Sequence, residues 1–502
     1  MSGYSSNGAA PHPGGPSLQE MAPRISAHPL FHGRRLAELE ADILRTREFV
    51  RGTIRPRALE FDRIAVDDPA NFAWDVVRAG GKLGLLHLAT PLGAGGHSDW
   101  VCLRTSLMIE EVSAGCAGFA TLFGAHGLGA SPLAMGGPAH WNGVLREVGE
   151  SATGPEPLIM AFCITEPTSG TDAEHHLWMH TAKVVTQAER TKGGWLLSGT
   201  KHFISNGSSA TWLTVFMPTD PKRPYETLTA FLVDARSEGF KVARVEHKMG
   251  HRASPAAEIS FDKVFVPDHH VIGRVGDGVA LTIAVLAGSR PPVGAISTGI
   301  ARGAYERLVD WLQNDPAGQR LLERQQVQLA LAQMYEEIHL ARQAYIDAAA
   351  DFDTVSVGSL SGVPAMRLLS RVPLALRDNA VVRKSMDTQV GRGLVMQTMS
   401  RQVGNRMLTR TLGLSSMAKA RGSDTAVRVT GMALEIAGLD CGALRPELEK
   451  CMRDAKLTQI YEGTNQLNRL EVFEGLVAEH SMSVLPRPVV TPEHVELAAS
   501  VA

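Results

Sequence analysis

The sequence predicts an α+β chain of more than one domain, with an all-β unit set between two helical halves, and three observations lead there. Its 502 residues exceed one ordinary domain. Apolar residues recur at three-four spacing up to about residue 157 and again from about residue 275. Between residues 158 and 274 the period shortens to two, and turn residues punctuate it.

With 44% hydrophobic and 20% charged residues the chain has the material for ample core. A formal net charge of -2 gives no global attraction to nucleic acid or to an acidic membrane, so such a partner would need a local patch. Cys102, Cys116, Cys163, Cys441 and Cys451 follow no CxxC or Cys/His ligand spacing and read as reduced, mostly buried thiols of a cytoplasmic protein. No metal site is expected.

Residues 1–33, rich in Gly, Pro and Ser and lacking the apolar run of a signal peptide, read as a flexible tail. Residues 34–157 form the helical N-terminal domain. Leu39, Ile43, Leu44, Phe49 and Val50 keep helical spacing, and Trp74 to Leu85 continues the pattern. A loop at Pro91 to Gly96 leads into a helix from Ser98 to Val112, and the Gly/Ala-dense Ala114 to Ala134 suits close helix contacts. Residues 158–274 form the β domain. Its strands are expected at 159–164, as a pair within 182–201, and at 210–216, 228–233, 240–245 and 258–266. Residues 275–477 return to helix, with an additional segment at about 353–410, and 478–502 form a second tail. Val279 to Ala301 is the longest apolar stretch, and Arg290-Pro291-Pro292 interrupts it, so it does not read as a membrane span.

Three short stretches carry chemistry. Lys450 to Leu470 begins as a charged helix, breaks at Glu462-Gly463 and restarts behind Thr464, whose hydroxyl suits an N-cap. Glu462 therefore stands in a bend between helices, where a carboxylate can project into a cavity or simply face water. Thr165 to Asp172 leaves a strand as a turn of hydroxyls and amides that can hold a heteroaromatic edge or a phosphate. Lys201 to Gly207 reads as a second loop, offering Phe203 to lie against a ring and Ser205 beside it.

Taken in order, Cys163-Ile164-Thr165-Glu166-Pro167, the hairpin from Gly199-Thr200-Lys201 to Asn206-Gly207, Met452 to Lys456 and Ile460 to Gln466 resemble the acyl-CoA dehydrogenase family over about residues 34–475. The resemblance implies a helical N-terminal domain, a β-barrel-like middle domain and a C-terminal four-helix bundle, with FAD between the last two. It implies FAD contacts from Phe162, Ile164, Thr165, Gly170, Thr171, Phe203, Ser205, Thr464 and Gln466. Glu462 matches the family's catalytic base, and Arg290 and Gly463 fall at substrate-binding positions. The implied partners are an acyl-CoA or another acyl-phosphopantetheine thioester, an electron-transferring flavoprotein as acceptor, and a second copy of the chain in a dimer or tetramer.

The sequence also departs from the family. Asn314-Asp315-Pro316-Ala317-Gly318 keeps only the glycine of an Arg-x-x-Phe-Gly motif that reaches a neighbouring subunit's FAD, and Glu435 to Leu439 replaces Gln-x-x-Gly-Gly. Leu286-Ala287-Gly288-Ser289-Arg290 retains the arginine of Phe-Asp-x-x-Arg but not the aspartate that bonds the pantetheine arm, which leaves a carrier-protein thioester beside CoA. From Arg367 to Arg410 nine Lys/Arg face two aspartates, a patch that can meet phosphates, an acidic partner or nucleic acid, or simply water. His175, His176 and His180 share one lengthened loop without a carboxylate pattern to make it a metal site. An acyl-CoA oxidase shares every motif named, and a flavin-fold nucleic-acid-binding protein using the basic segment is the reading from another class.

Overall fold

In the computed structural model, residues 17–21, 34–90, 101–135, 143–175, 182–361, 406–439 and 441–478 are described. The loop at 91–96, His176, His180 and most of the basic segment lie outside them.

The N-terminal helices are α1 (Arg34–Phe49), α2 (Arg55–Asp67), α3 (Trp74–Lys82), α4 (Val101–Gly115), α5 (Ala117–Met135) and α6 (Val144–Ser151). A π turn at Val50–Ile54 joins α1 to α2 without a break. The small residues of α5 let it approach the β domain closely. A Cβ on Gly129 would stand 2.7 Å from the Ala161 amide nitrogen, so only glycine fits there. His126 on the same helix ties the two units together, its Nε2 donating to the Leu86 carbonyl at 3.0 Å and its Nδ1 accepting from the Met160 amide at 3.2 Å. Burial drives this imidazole down to about 4, so it stays neutral and can accept.

Eight strands follow: β1 (Met160–Cys163), β2 (Gln187–Thr191), β3 (Gly194–Ser205), β4 (Trp212–Pro218), β5 (Leu228–Asp234), β6 (Phe240–Val245), β7 (Ala256–Pro267) and β8 (Val271–Ile272). They form two four-stranded sheets, ordered β1-β4-β5-β8 and β2-β3-β7-β6. Leu213, Val215, Phe231 and Val233 face the core between the sheets, while Trp212, Phe216, Ala230 and Leu232 face the helices. Both faces of the first sheet are buried, which is why its strands read as unbroken apolar runs. Edge strand β6 is largely exposed and carries Lys241 and Arg244 into solvent.

The expected loop at 201–207 is instead largely the end of β3. Its register slips against β7 between Lys201 and Ile204, and Phe203 and Asn206 adopt left-handed φ of 55° and 63°. The bulge, rather than a loop, turns Phe203 outward.

The C-terminal half packs α7 (Gly278–Asn314), α8 (Gln325–Ser361), α9 (Arg406–Ala437) and α10 (Leu444–Thr458) around one shared core, followed by α11 (Asn465–Val472). Helix α7 is apolar and long enough to cross a membrane, but its apolar window is 83% buried inside the protein, as in a core helix. Arg290-Pro291-Pro292 does not interrupt it. Two prolines inside a helix strand the carbonyls four residues earlier, those of Ala287 and Gly288. Ser415 on α9 donates to the first at 2.7 Å, and the Cys102 thiol of α4 donates to the second at 3.2 Å. The helix survives because its neighbours supply the missing donors.

A buried ion network ties the halves together. Glu110 on α4 accepts from Arg342 and Tyr345 of α8 and pairs with Arg302 of α7, and Glu111 pairs with Arg47 and Arg302. Although burial opposes it, the two guanidinium groups hold Glu110 down at about 2. All five cysteines are free thiols, and Cys451 alone is half-buried rather than buried.

Candidate active site

The predicted bend is present. Helix α10 ends at Thr458, and Thr464 caps α11 with its Oγ1 accepting from the Leu467 amide at 3.4 Å. Between them Glu462 and Gly463 both take left-handed backbone, at φ 56° and 79°. Such backbone is costly for glutamate, and its surroundings must hold it there. They do so from two helices. Arg290 Nε of α7 donates to the Glu462 carbonyl at 3.2 Å, and Lys419 Nζ of α9 donates to the Gly463 carbonyl at 2.6 Å. Asn468 adds a bond to the Gly463 carbonyl at 2.9 Å. Gly463 sits at φ 79°, where a side chain is strained, and a Cβ there would also press on Leu467 Cδ2 at 2.8 Å.

The bend aims the Glu462 side chain at the wall of a cavity of about 1260 Å³. Ser289, one residue before Arg290, donates from Oγ to Glu462 Oε2 at 2.7 Å. Burial pushes the Glu462 carboxyl above its ordinary range, while the Ser289 hydroxyl and the charges of Arg290 and Lys419 restrain it. Burial, helped by Arg290, in turn brings the Lys419 ammonium down to about 7.

Of the residues singled out from the sequence, Phe162, Ile164, Thr165, Gly170, Thr171, Phe203, Ser205 and Glu462 all line this one cavity. Arg290, Gly463, Thr464 and Gln466 do not. Arg290 is fully buried behind the bend, where Nη1 donates to Ser416 at 2.8 Å and pairs with Glu471. It props the bend instead of facing the cavity. Gln466 is exposed, and the Thr464 hydroxyl is engaged in capping.

The turn after β1 is braced from below. Lys201, buried, donates to the Ile164 carbonyl at 2.9 Å and to Glu166 at 2.8 Å, and Glu166 also accepts from the Val185 amide at 2.7 Å. Asp172 accepts from the Gly170 amide at 2.7 Å. These bonds fix the hydroxyls of Thr165, Ser169 and Thr171 on the cavity wall. Phe203 leaves its ring 59% exposed at the same wall, backed by His202 stacked at 4.0 Å. Glu246 and Glu258 approach His202, and the Arg244 guanidinium bonds all three. That arginine occupies the space a cation would need.

Ser289, Lys419 and Glu174 escaped the sequence reading. Ser289 was visible only as a neighbour of Arg290, and nothing in the sequence connects α9 to the bend. Glu174 sits at the end of a short turn, Thr171–Glu174, and lines the cavity. His175 is buried against Glu474, at 3.4 Å.

Residues 38–140, 161–264 and 276–363 with 378–477 match the N-terminal, middle and C-terminal domains of acyl-CoA dehydrogenase. The gap at 364–377 falls in the additional segment. Cyclohex-1-ene-1-carbonyl-CoA dehydrogenase of Geobacter metallireducens is 32% identical over 425 residues, covering 84% of this chain and 94% of that protein. The "Probable acyl-CoA dehydrogenase fadE25" of Mycobacterium bovis is 28% identical over 457 residues, 90% of this chain and 99% of its own. The structure of butyryl-CoA dehydrogenase from Megasphaera elsdenii superposes with a TM-score of 0.66 at 24% identity, over 88% of this chain and 98% of that one, and bears on the fold alone.

Proposed function

The chain belongs to the acyl-CoA dehydrogenase family of oxidoreductases acting on CH–CH bonds, and from that premise we propose that it dehydrogenates an acyl thioester across its α and β carbons, with Glu462 as base. One observation carries the reading: a strained bend, propped by Arg290 and Lys419, delivers the Glu462 carboxylate to the wall of a large cavity that a hydroxyl-bearing turn also lines.

The lining suits FAD. Its volume, about 1260 Å³, exceeds the roughly 300–1,000 Å³ of a single-ligand pocket, which leaves room for a ring system and a thioester side by side. The exposed Phe203 ring offers an apolar face, and Thr165, Ser169, Thr171 and Ser205 offer hydroxyls at its side. These residues, with Phe162, Ile164 and Gly170, would hold the cofactor. Thr464 and Gln466 would reach only a portion of it outside the cavity. When bound, FAD supplies the acceptor for the hydride that leaves the β carbon.

The chain's own part is proton removal. An α proton beside a thioester is weakly acidic, so the base must be desolvated and held within hydrogen-bond reach of that carbon. Burial raises the affinity of Glu462 for the proton, and Ser289 fixes which oxygen faces away. Negative charge then develops on the thioester oxygen. The Glu462 amide N–H, which has no acceptor among the described residues, is the chain's donor for it. Removing one such donor typically costs about 3 kcal/mol of barrier.

CoA is the favoured carrier, because the relatives' names specify CoA thioesters. Ala287 in place of the family aspartate keeps a carrier-protein thioester in the comparison. An electron-transferring flavoprotein is the proposed acceptor, and low peroxide yield beside rapid flavoprotein-linked dye reduction would distinguish it from oxygen. Self-association into a dimer or tetramer completes the proposal. Leu329 and Leu340, exposed on one face of α8, support it.

Glu462→Gln tests the base directly. The variant is expected to retain FAD and to lose anaerobic flavin bleaching by acyl thioesters by several orders of magnitude. Bleaching within about tenfold of the parent would remove Glu462 from this role.

A further inference from the structure

The proposed proton transfer leaves one half-buried carboxyl at the cavity wall unused. Glu174 ends the turn Thr171–Glu174, and its side chain lines the cavity that receives Glu462. Much of the shared wall is apolar, including Phe162, Leu286 and Phe352. Glu174 Oε2 is sealed from solvent and has no hydrogen-bond partner among the described residues. Buried polar atoms are ordinarily paired; Oε2 is itself covered by the protein, so a ligand meets this carboxyl at the surface that the half-buried side chain presents to the cavity.

The groups acting on it are Glu462 and Glu471, which are negative, and Arg290 and Lys419, which oppose them. Burial first, then the two carboxylates, push Glu174 up to about 8. At neutral pH it therefore carries its proton and can both donate and accept a hydrogen bond. A ligand with only methylene groups at this point leaves the carboxyl unpaired, whereas one with an amide, carbonyl or hydroxyl satisfies it.

We propose that Glu174 is a specificity-determining residue of the acyl site, selecting thioesters that present a hydrogen-bonding group within a few bonds of the carbon on which Glu462 acts. The inference rests on the dehydrogenation reading for the placement of that carbon. Two sources supply the same chemistry: the amide nearest sulfur in the phosphopantetheine arm, and a hydroxyl or carbonyl on the acyl chain itself.

The test uses the full chain loaded with FAD, as wild type, Glu174→Ala and Glu174→Gln. Affinities are measured by calorimetry for 2-enoyl thioesters, which cannot undergo the same dehydrogenation. One pair compares the N-acetylcysteamine thioester with an S-alkyl thioester of equal length lacking the amide. The other compares enoyl-CoAs with and without a γ-hydroxyl. Wild type is expected to favour the polar member of at least one pair by about tenfold or more. Glu174→Ala should bring that preference within about twofold, and Glu174→Gln, which keeps a donor and an acceptor, should retain most of it. The pair that responds identifies the source. Absence of preference in both pairs, or its persistence in Glu174→Ala, overturns the proposal. Bleaching by saturated thioesters is read separately. Preference without bleaching sinks the dehydrogenation reading, while bleaching without preference sinks the role of Glu174.

Discussion

Replacing Ser289 by alanine removes a hydrogen bond made directly to the proposed base, and its consequence has a definite sign. Ser289 Oγ donates to Glu462 Oε2 at 2.7 Å and stabilises the ionised carboxylate. A hydrogen bond to a charged group is worth about 1.5–3 kcal/mol, and one pKa unit corresponds to about 1.36 kcal/mol. Loss of the bond should therefore raise the Glu462 pKa by about one to two units, above a value that burial has already raised. Because the base must be ionised to take the α proton, the acid limb of the rate profile moves to higher pH by the same amount. Stopped-flow flavin bleaching with a saturating thioester, followed anaerobically from pH 5 to 10, reads that limb. The plateau rate above it should change much less than the rate at pH 6. An acid limb that stays in place, or moves to lower pH, would refute the reasoning. A uniform loss of rate at all pH values would mean that Ser289 only positions the carboxylate.

Three further outcomes test the support around the proposed base. Ser415→Ala should cost about 1–3 kcal/mol in chemical denaturation, because it orphans the Ala287 carbonyl freed by Pro291 in a buried setting. Glu110→Ala should cost about 3–5 kcal/mol and lower the melting temperature of the loaded protein, since it leaves Arg302 and Arg342 buried without their shared carboxylate. Lys419, brought down from 10.5 to about 7, binds a proton in the unfolded chain that the folded chain lacks between about pH 7 and 10.5, so its contribution to stability rises with pH across that window. Lys419→Met should flatten the pH dependence there by up to about 1.4 kcal/mol per pH unit in paired denaturation curves, and an unchanged slope would mean that the ammonium stays charged in the fold.

The bend at Glu462 was legible because its signals are local: a charged helix, a Glu-Gly break and a Thr at the cap position adjoin one another in sequence. Strands β1, β4 and β5 were legible for a similar reason, since burial on both faces writes itself as apolar runs. Three features were not. Phe203 owes its exposure to a register slip between β3 and β7, which depends on pairing partners more than fifty residues apart. Helix α7 runs through Pro291-Pro292 because α4 and α9 supply donors that no local rule foresees. Arg290 was matched to a substrate position by motif alone, and only the packing of α7 and α11 against α9 turns its guanidinium toward Ser416, Glu471 and the Glu462 carbonyl.

These non-local features converge on one length of α7. Ser289 and Arg290 can reach Glu462 only if the helix continues through the prolines, and it continues only while Ser415 and Cys102 satisfy the stranded carbonyls. The same segment is therefore held by α4 from the N-terminal domain and α9 from the bundle, and it holds the bend in turn. Arg290 and Lys419 spend their donors on the two backbone carbonyls of the bend, which points those carbonyls away from the cavity. The left-handed pair Glu462-Gly463 then leaves the Glu462 amide without an acceptor among the described residues. In the proposed α-proton removal, cations behind the bend would serve two requirements at once: they restrain the rise in the carboxylate's proton affinity, and they leave a backbone donor for the thioester oxygen.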